Sequence, residues 1–265
     1  MTTDTTKTLP FGFGFYLRRM GSKPKQQDID SLIKRLKASK ATWASLMVEA
    51  EDGFINPKSN LKPYVDALHS NGIKVWLWTF PGHARASSAS NAISAANLII
   101  EYHNEFNDKI DGIQLDVEIA FKGKQQALNA FINEVVNNKA KNNIKHITFV
   151  SYPIPSFHKD IDWTCLSKCD SGSPMLYDSA KDKKWIDKSY NEYTKYNKNW
   201  YPSLATYETE AAGSEEVQLK GDLDRVFEGN GQRNIQSAIF WAENTTNDAE
   251  RKVLADYSDL LFIDK

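Results

Sequence analysis

Short apolar runs rich in β-branched and aromatic residues recur along the chain, each bounded by Gly, Pro, Asn or Asp. Their spacing leaves room for one helix between each run and the next, which is typical of alternating strands and helices. Eight such runs predict eight strands, at residues 11–17, 42–48, 73–79, 110–116, 146–152, 172–177, 200–207 and 237–241.

Amphipathic patterns with helical spacing lie between these runs, and the clearest cover residues 28–36, 63–69, 89–106 and 125–136. Eight strand–helix units in a chain of 265 residues predict an α/β fold, a single-domain (β/α)8 TIM barrel spanning 1–265 with 1–10 as a flexible tail. A doubly wound sheet is less consistent with the sequence, which contains no G-x-G-x-x-G and no Walker loop. Gly12 and Gly14 are interpreted as small residues inside the barrel.

The charges nearly cancel, with 33 basic and 34 acidic side chains, so no overall field is expected to attract nucleic acid or an anionic membrane. No apolar stretch approaches the roughly 20 residues of a membrane span, and no signal peptide is recognised in the chain as given. Its location is therefore left open: secreted if the chain is a mature form, otherwise cytoplasmic. Cys165 and Cys169 are expected to be thiols, and the protein is expected to be a monomer.

The fourth predicted strand carries the most informative polar residues. Strand alternation places Gln114, Asp116 and Glu118 on one face, while the residues between them are apolar and suit the helix layer. Active sites of TIM barrels lie at the carboxyl ends of the strands. Two acids and an amide that point into the barrel mouth are costly unless they are hydrogen-bonded or functional. This face is therefore the predicted site.

The segment Asp111-x-x-Gln114-x-Asp116-x-Glu118 resembles the D-x-x-D-x-D-x-E signature of glycoside hydrolase family 18, the chitinases and endo-β-N-acetylglucosaminidases. Later segments agree with it in order along the chain. The resemblance extends to the M-x-Y-D motif of that family at Met175, Tyr177 and Asp178, to its strand-eight tryptophan at Trp241, and to an aromatic position at Tyr16.

The resemblance implies a retaining glycosidase that needs no cofactor or metal and acts on an oligosaccharide or polysaccharide containing β-linked N-acetylglucosamine. Glu118 would be the acid and then the base, and Asp116 would orient the acetamido group of the substrate, whose own oxygen is the nucleophile. Tyr177 would bind that oxygen. Trp241, Asp178, Met175, Tyr16, Gln114 and Trp78 are the expected substrate-binding residues.

The neutral Gln114 is a departure, because the family commonly has a carboxylate there. Asp116 is therefore expected to ionise more readily than it would beside a second acid, which would slow activity or shift its pH dependence. Strand three also departs, with Trp76 and Trp78 on one face and His83 beyond it. A weaker possibility is that the loop acids Glu49, Glu51 and Glu208 line the mouth. Arg18 and Arg19, after the first strand, are interpreted as exposed loop cations, with binding of an acidic group of a substrate as the alternative.

Three alternatives remain open. A family 25 muramidase is also a barrel with Asp-x-Glu on a central strand, although no Asp lies near the end of the first predicted strand. A sugar-binding, lectin-like barrel that has lost the reaction is a second alternative, and an unrelated barrel hydrolase is a third.

Overall fold

A computed structural model describes residues 10–20, 25–206, 215–228, 233 and 235–262. Its eight parallel strands are β1 (Gly12–Leu17), β2 (Ala41–Glu49), β3 (Lys74–Thr79), β4 (Ile110–Val117), β5 (Ile147–Ser151), β6 (Ser171–Pro174), β7 (Ser203–Ala205) and β8 (Ser237–Trp241). They form one sheet in the order β6-β5-β4-β3-β2-β1-β8-β7. Parallel bridges from Gly172 to Trp200 and from Met175 to Ser203 connect its two ends. The sheet is thus a nearly closed barrel, which confirms the predicted (β/α)8 fold.

Seven α-helices are described: α1 (Gln26–Ala38), α2 (Lys58–Ser70), α3 (Ala89–Phe106), α4 (Gln125–Asn137), α5 (Lys183–Tyr193), α6 (Glu215–Phe227) and α7 (Asp248–Phe262). The predicted third helix has the observed bounds, and the fourth ends one residue later than expected. The second begins at Lys58, five residues before the predicted start, so Pro63 lies inside it. Between β5 and β6 the connection contains two 3-10 helices, Pro155–Phe157 and Trp163–Lys168, and no α-helix.

The sixth and seventh strands differ most from the predicted ones. The sixth ends at Pro174 instead of residue 177, because Leu176 and Tyr177 turn into a short 3-10 helix that begins at Asp178. A proline also cannot donate a hydrogen bond to a sheet ladder. The seventh covers only Ser203–Ala205. The expected end of that strand, at residue 207, and most of the predicted 1–10 tail lie outside the described residues.

The barrel encloses an aromatic core of its own, separate from the apolar layer between strands and helices. Trp43 and Trp76 lie inside the barrel with ring centroids 5.5 Å apart, and both are fully buried. Glycines leave room for them: a Cβ on Gly14 would lie 2.2 Å from the Trp43 ring, and one on Gly112 would lie 2.5 Å from the Trp76 ring. The interpretation of Gly14 as a small residue inside the barrel is confirmed.

Gly112→Ala is expected to lower the free energy of unfolding by about 1–3 kcal/mol, the usual cost of overpacking a dense core. The Trp76 ring has little freedom to move away, because it also contacts Trp43 and the His146 ring, 5.1 Å from its centroid. Urea unfolding followed by tryptophan fluorescence measures the change. Gly221→Ala in α6 is the matched control, since its new methyl group meets only the flexible end of Arg225. An equal loss in both variants would contradict this explanation.

Candidate active site

The polar face of β4 points into the barrel, as its alternation predicts. Ile113, Leu115 and Val117 are fully buried in the apolar core that packs against the helices. Gln114 and Asp116 are buried on the opposite face, and Glu118 follows as the first residue after the strand, half-buried at its carboxyl end. The local fold therefore carries an amide and two carboxyls up the barrel axis to its mouth.

Asp116 and Glu118 form a coupled carboxyl pair joined by a side-chain hydrogen bond. Burial raises the pKa of Glu118 to about 7, and the negative charge of Glu51 adds to this increase. Burial also raises the pKa of Asp116 well above its ordinary value, followed by the charge of Glu118. Two like charges this close resist simultaneous ionisation, so the pair retains a proton near neutral pH.

Gln114 is expected to let Asp116 ionise more readily than a second acid would, and burial acts on Asp116 in the opposite direction. Relative to an acidic neighbour, an amide does remove one source of repulsion. Asp116 nevertheless has only 6% of its surface exposed, and its Oδ1 has no hydrogen-bond partner in the part of the chain that the structure describes. Loss of hydration therefore dominates the rise in the pKa of Asp116, and the negative charges of Glu118 and Glu51 add to it although position 114 is neutral.

Gln114 is held by the phenols of two tyrosines from distant parts of the sequence. Its Nε2 donates to the Tyr201 hydroxyl at 3.0 Å and to the Tyr16 hydroxyl at 3.4 Å. The Tyr201 hydroxyl donates in turn to Thr148 Oγ1 at 3.0 Å, and that of Tyr16 lies 3.3 Å from Ser203 Oγ. This network orients the amide beneath Asp116 and replaces the charge interactions that an acid would make there.

An aromatic cluster lies on the other side of the mouth. Trp241, the last residue of β8, is half-exposed and meets the rings of Tyr16 and Trp78 edge-on, with centroids 5.4 and 5.6 Å away. The centroid of the Tyr177 ring lies 6.4 Å from that of Trp241. Trp78 is only 1% exposed, so it supports Trp241 by this edge-on contact and has no open ring face of its own. The structure thus brings together residues from β1, β3, β8 and the segment after β6.

The three residues of the strand-six motif lie at different depths. Met175 is buried and paired with Ser203 across the closure of the barrel. Tyr177 is half-exposed beside Trp241. Asp178 points outward with 74% of its side chain exposed, 3.3 Å from Lys181. Because the strand ends at Pro174, Tyr177 reaches the mouth from a turn and not from the strand itself.

The weaker candidates lie at different positions, and Glu51 affects the carboxyl pair. Glu49 is buried in an ion pair with Arg85, with 2.6 Å between Oε1 and Nε, and therefore connects β2 to the loop after β3. Trp76 lies in the barrel core, and His83 is exposed in the loop after β3. Glu51 is close enough to the carboxyl pair to raise both of its pKa values. Glu208 lies outside the described residues.

Sequence reasoning missed several neighbours of the pair. Tyr152 follows β5, and its pKa is raised to about 12 by burial and then by Glu118 and Asp116. The His158 ring stacks on the Tyr152 ring with centroids 3.9 Å apart, and Lys122 Nζ lies 4.7 Å from the centroid of the Tyr152 ring. The positive charge of Lys122 opposes the rise in the pKa of Glu118. Tyr152 ends an apolar run, and that signal was available in the sequence.

Among the described residues, no group of three or more His, Cys, Asp or Glu side chains is arranged to hold a metal ion. Both cysteines are free and buried, as expected. Within the same ranges, no helix is both long and apolar enough to span a membrane.

The fold is similar to those of solved proteins with three different descriptions. A GH18 chitinase from Flavobacterium johnsoniae is 13% identical, with a TM-score of 0.66 over 95% of this chain and 94% of that one. The spore cortex-lytic enzyme SleL of Bacillus megaterium is 11% identical, with a TM-score of 0.66 over 93% and 73%. A xylanase and α-amylase inhibitor protein from Scadoxus multiflorus is 11% identical, with a TM-score of 0.63 over 95% and 98%. No protein-family model and no curated protein matches the sequence.

Proposed function

We propose that this chain, which has the fold of the family 18 chitinases, is a retaining glycosidase of glycans that contain β-linked N-acetylglucosamine. The observation that carries the proposal is the Asp116–Glu118 pair at the carboxyl end of β4, with the pKa of Glu118 raised to about 7. Cleaving a glycosidic bond needs a carboxylic acid that remains protonated near neutral pH. Glu118 meets this requirement at the place where barrel enzymes carry their chemistry.

The reaction begins with Glu118 donating its proton to the leaving glycosidic oxygen. The acetamido oxygen of the substrate attacks the anomeric carbon, the bond to the leaving oxygen breaks, and an oxazolinium ring forms. Glu118, now a carboxylate, removes a proton from water, which attacks the same carbon and opens the ring. The product keeps the original anomeric configuration, and the enzyme returns to its starting protonation state.

Asp116 supplies the negative charge that this route requires. In the free protein it shares a proton with Glu118 through their hydrogen bond. When that proton belongs to Glu118, Asp116 is an anion able to accept the acetamido N–H and to stabilise the positive ring. When the one shared proton is on Glu118, Glu118 can act as the acid and Asp116 carries the negative charge.

The aromatic cluster binds and positions the sugar ring. Trp241 offers a flat apolar face to the C–H groups of the ring, and Trp78 and Tyr16 hold it from the sides. The Tyr177 hydroxyl binds the attacking acetamido oxygen, and Met175 lines the pocket. Gln114, two residues before Asp116 on the same face of β4, is held in place by the two tyrosines. The exposed Asp178 contacts a sugar hydroxyl at the rim.

Hydrolysis of N-acetylglucosamine di- and trisaccharides between pH 4 and 8 tests the proposal. Asp116 must be an anion, so kcat/KM is expected to fall at low pH, where both carboxyls hold a proton; Glu118 must be protonated, so kcat/KM is also expected to fall about tenfold per unit above about pH 7. This limb follows from the raised pKa of Glu118. Activity that still rises through pH 8 would contradict Glu118 as the acid. Release of products from peptidoglycan without action on these oligomers would favour the muramidase alternative.

A sugar-binding protein without turnover is the second candidate. Gln114 replaces the acid of the family signature, and one protein with a similar fold is described as an inhibitor. Oligosaccharide binding with no product over the whole pH range would establish this reading.

A further inference from the structure

A polar cleft of about 600 Å³ lies beside the mouth, between β1, α1 and the short 3-10 helix after β8. Tyr16 lines it and is the residue that joins it to the candidate site, since its hydroxyl also contacts Gln114. Neither Asp116 nor Glu118 lines the cleft. A glycan bound over Trp241 would therefore have space here for a group that the bond-cleaving residues do not touch.

The cleft is lined by three arginines, and two of them already have a carboxylate partner. Arg19 pairs with Asp52. Arg35 Nε lies 2.6 Å from Glu243 Oε1, and Arg251 contacts the same carboxylate at 3.0 Å. Both guanidinium groups therefore already hold a carboxylate, and Arg35 also donates to Ser31 Oγ at 2.9 Å.

Arg18 differs from both. Its guanidinium carbon lies 4.8 Å from the centroid of the Trp241 ring, and within the described ranges no carboxylate forms an ion pair with it. The cation–π contact uses the positive charge and leaves the N–H donors available for another acceptor. Asp28 also lines the cleft; it lies in the first turn of α1, where the helix dipole stabilises the negative charge of its own carboxylate.

From this arrangement we infer that Arg18 and the cleft form a subsite for a carboxylate carried by the glycan, next to the sugar that lies on Trp241. This inference rests on the proposed function and names its substrate class: an amino-sugar polymer with an acidic substituent, such as the 3-O-lactyl group of N-acetylmuramic acid. A guanidinium fork matches both oxygens of a carboxylate, and its stacking on Trp241 places it before the ligand arrives.

Two forms of one substrate test the subsite. Peptide-free glycan strands of alternating N-acetylglucosamine and N-acetylmuramic acid are compared with the same strands after their lactyl carboxyls are converted to amides. The wild-type protein is expected to prefer the carboxylate form about tenfold in kcat/KM, the scale of one charge-assisted hydrogen bond. Because Arg18 is exposed, added salt should reduce this preference.

Arg18→Gln is expected to bring the ratio of the two kcat/KM values close to one. Arg19→Gln is the matched control: it removes an equal charge one residue away, but from a cation that already has a partner, so the ratio should remain. A ratio near one in the wild type, or an equal fall in both variants, would overturn the inference.

Failure of the subsite and failure of the glycosidase proposal give different results. Cleavage of neutral N-acetylglucosamine oligomers with no preference for the carboxylate strands rejects only the subsite. If no glycan is cleaved, the affinities of the two strands are compared by calorimetry. A tenfold preference that Arg18→Gln removes then supports the subsite in a binding protein, and equal affinities reject it.

Discussion

Glu118→Gln is expected to lower kcat on N-acetylglucosamine oligomers by roughly 10²–10⁴-fold, the usual contribution of a general acid and base. Glutamine keeps the size and hydrogen-bonding reach of the side chain but has no proton to transfer. Because glutamine has the same size and shape as glutamate, the substitution leaves no cavity at this half-buried position. The free energy of unfolding should therefore change little, and Kd for the oligomer should stay within a few-fold of the wild-type value.

Product release measured with saturating oligomer, together with thermal unfolding of the same samples, separates chemistry from folding. Glu105→Gln serves as the matched control, because this carboxylate lies on the exposed face of α3, 3.7 Å from Lys58 and away from the mouth. Its kcat should equal that of the wild type. Turnover by Glu118→Gln within a few-fold of the wild type would eliminate Glu118 as the acid.

The architecture and the polar face of β4 could be predicted because both follow from hydrophobic patterns that repeat every few residues along a strand or a helix. The alternation of Gln114, Asp116 and Glu118 with buried apolar residues leaves only one orientation for the strand. The third helix was placed correctly since Ser88 caps its first turn, where its Oγ accepts the Asn91 N–H at 3.1 Å. Signals of this kind lie within a few residues of one another.

The partners of those residues could not be predicted, because they come from distant strands. Tyr201 is 87 positions from Gln114 and reaches it only when the barrel closes. Glu51 affects both pKa values from the loop after β2. That loop lies close to the next one: a Cβ on Gly82 would come within 1.8 Å of the Glu51 carbonyl oxygen. A pKa depends on such three-dimensional neighbours, and no periodicity encodes them.

The end of the sixth strand was predicted three residues too late. The apolar run 172–177 continues past the strand, because Leu176 remains buried after the chain has turned. Burial and strand geometry are separate properties, and a hydrophobic pattern reports only burial. The difference matters for the site because Tyr177 stands on a turn, with backbone angles φ −46° and ψ −76°, and faces Trp241 from there.

Asp116→Asn is expected to reduce kcat by about 10²–10³-fold, the scale on which removing one fixed electrostatic stabiliser slows an enzyme. Asparagine can still donate to Glu118, but it cannot carry the negative charge that accepts the acetamido N–H and faces the oxazolinium ring. The buried carboxyl has an unpartnered Oδ1 within the described residues, and burial disfavours its charge. Its neutral replacement should therefore leave the thermal unfolding temperature unchanged or raise it.

The leaving group distinguishes the roles of the two carboxyls. An aryl N-acetylglucosaminide whose phenol leaves without protonation needs little help from an acid. On such a substrate, the first, bond-cleaving step of Glu118→Gln should recover much of its lost rate in single-turnover measurements. Asp116→Asn should not recover, because its defect lies at the acetamido group. Asp108→Asn, an exposed acid just before β4, is the control and should behave as the wild type. Equal recovery by both site variants would mean that Asp116 acts only through Glu118, and the charge-partner role would be wrong.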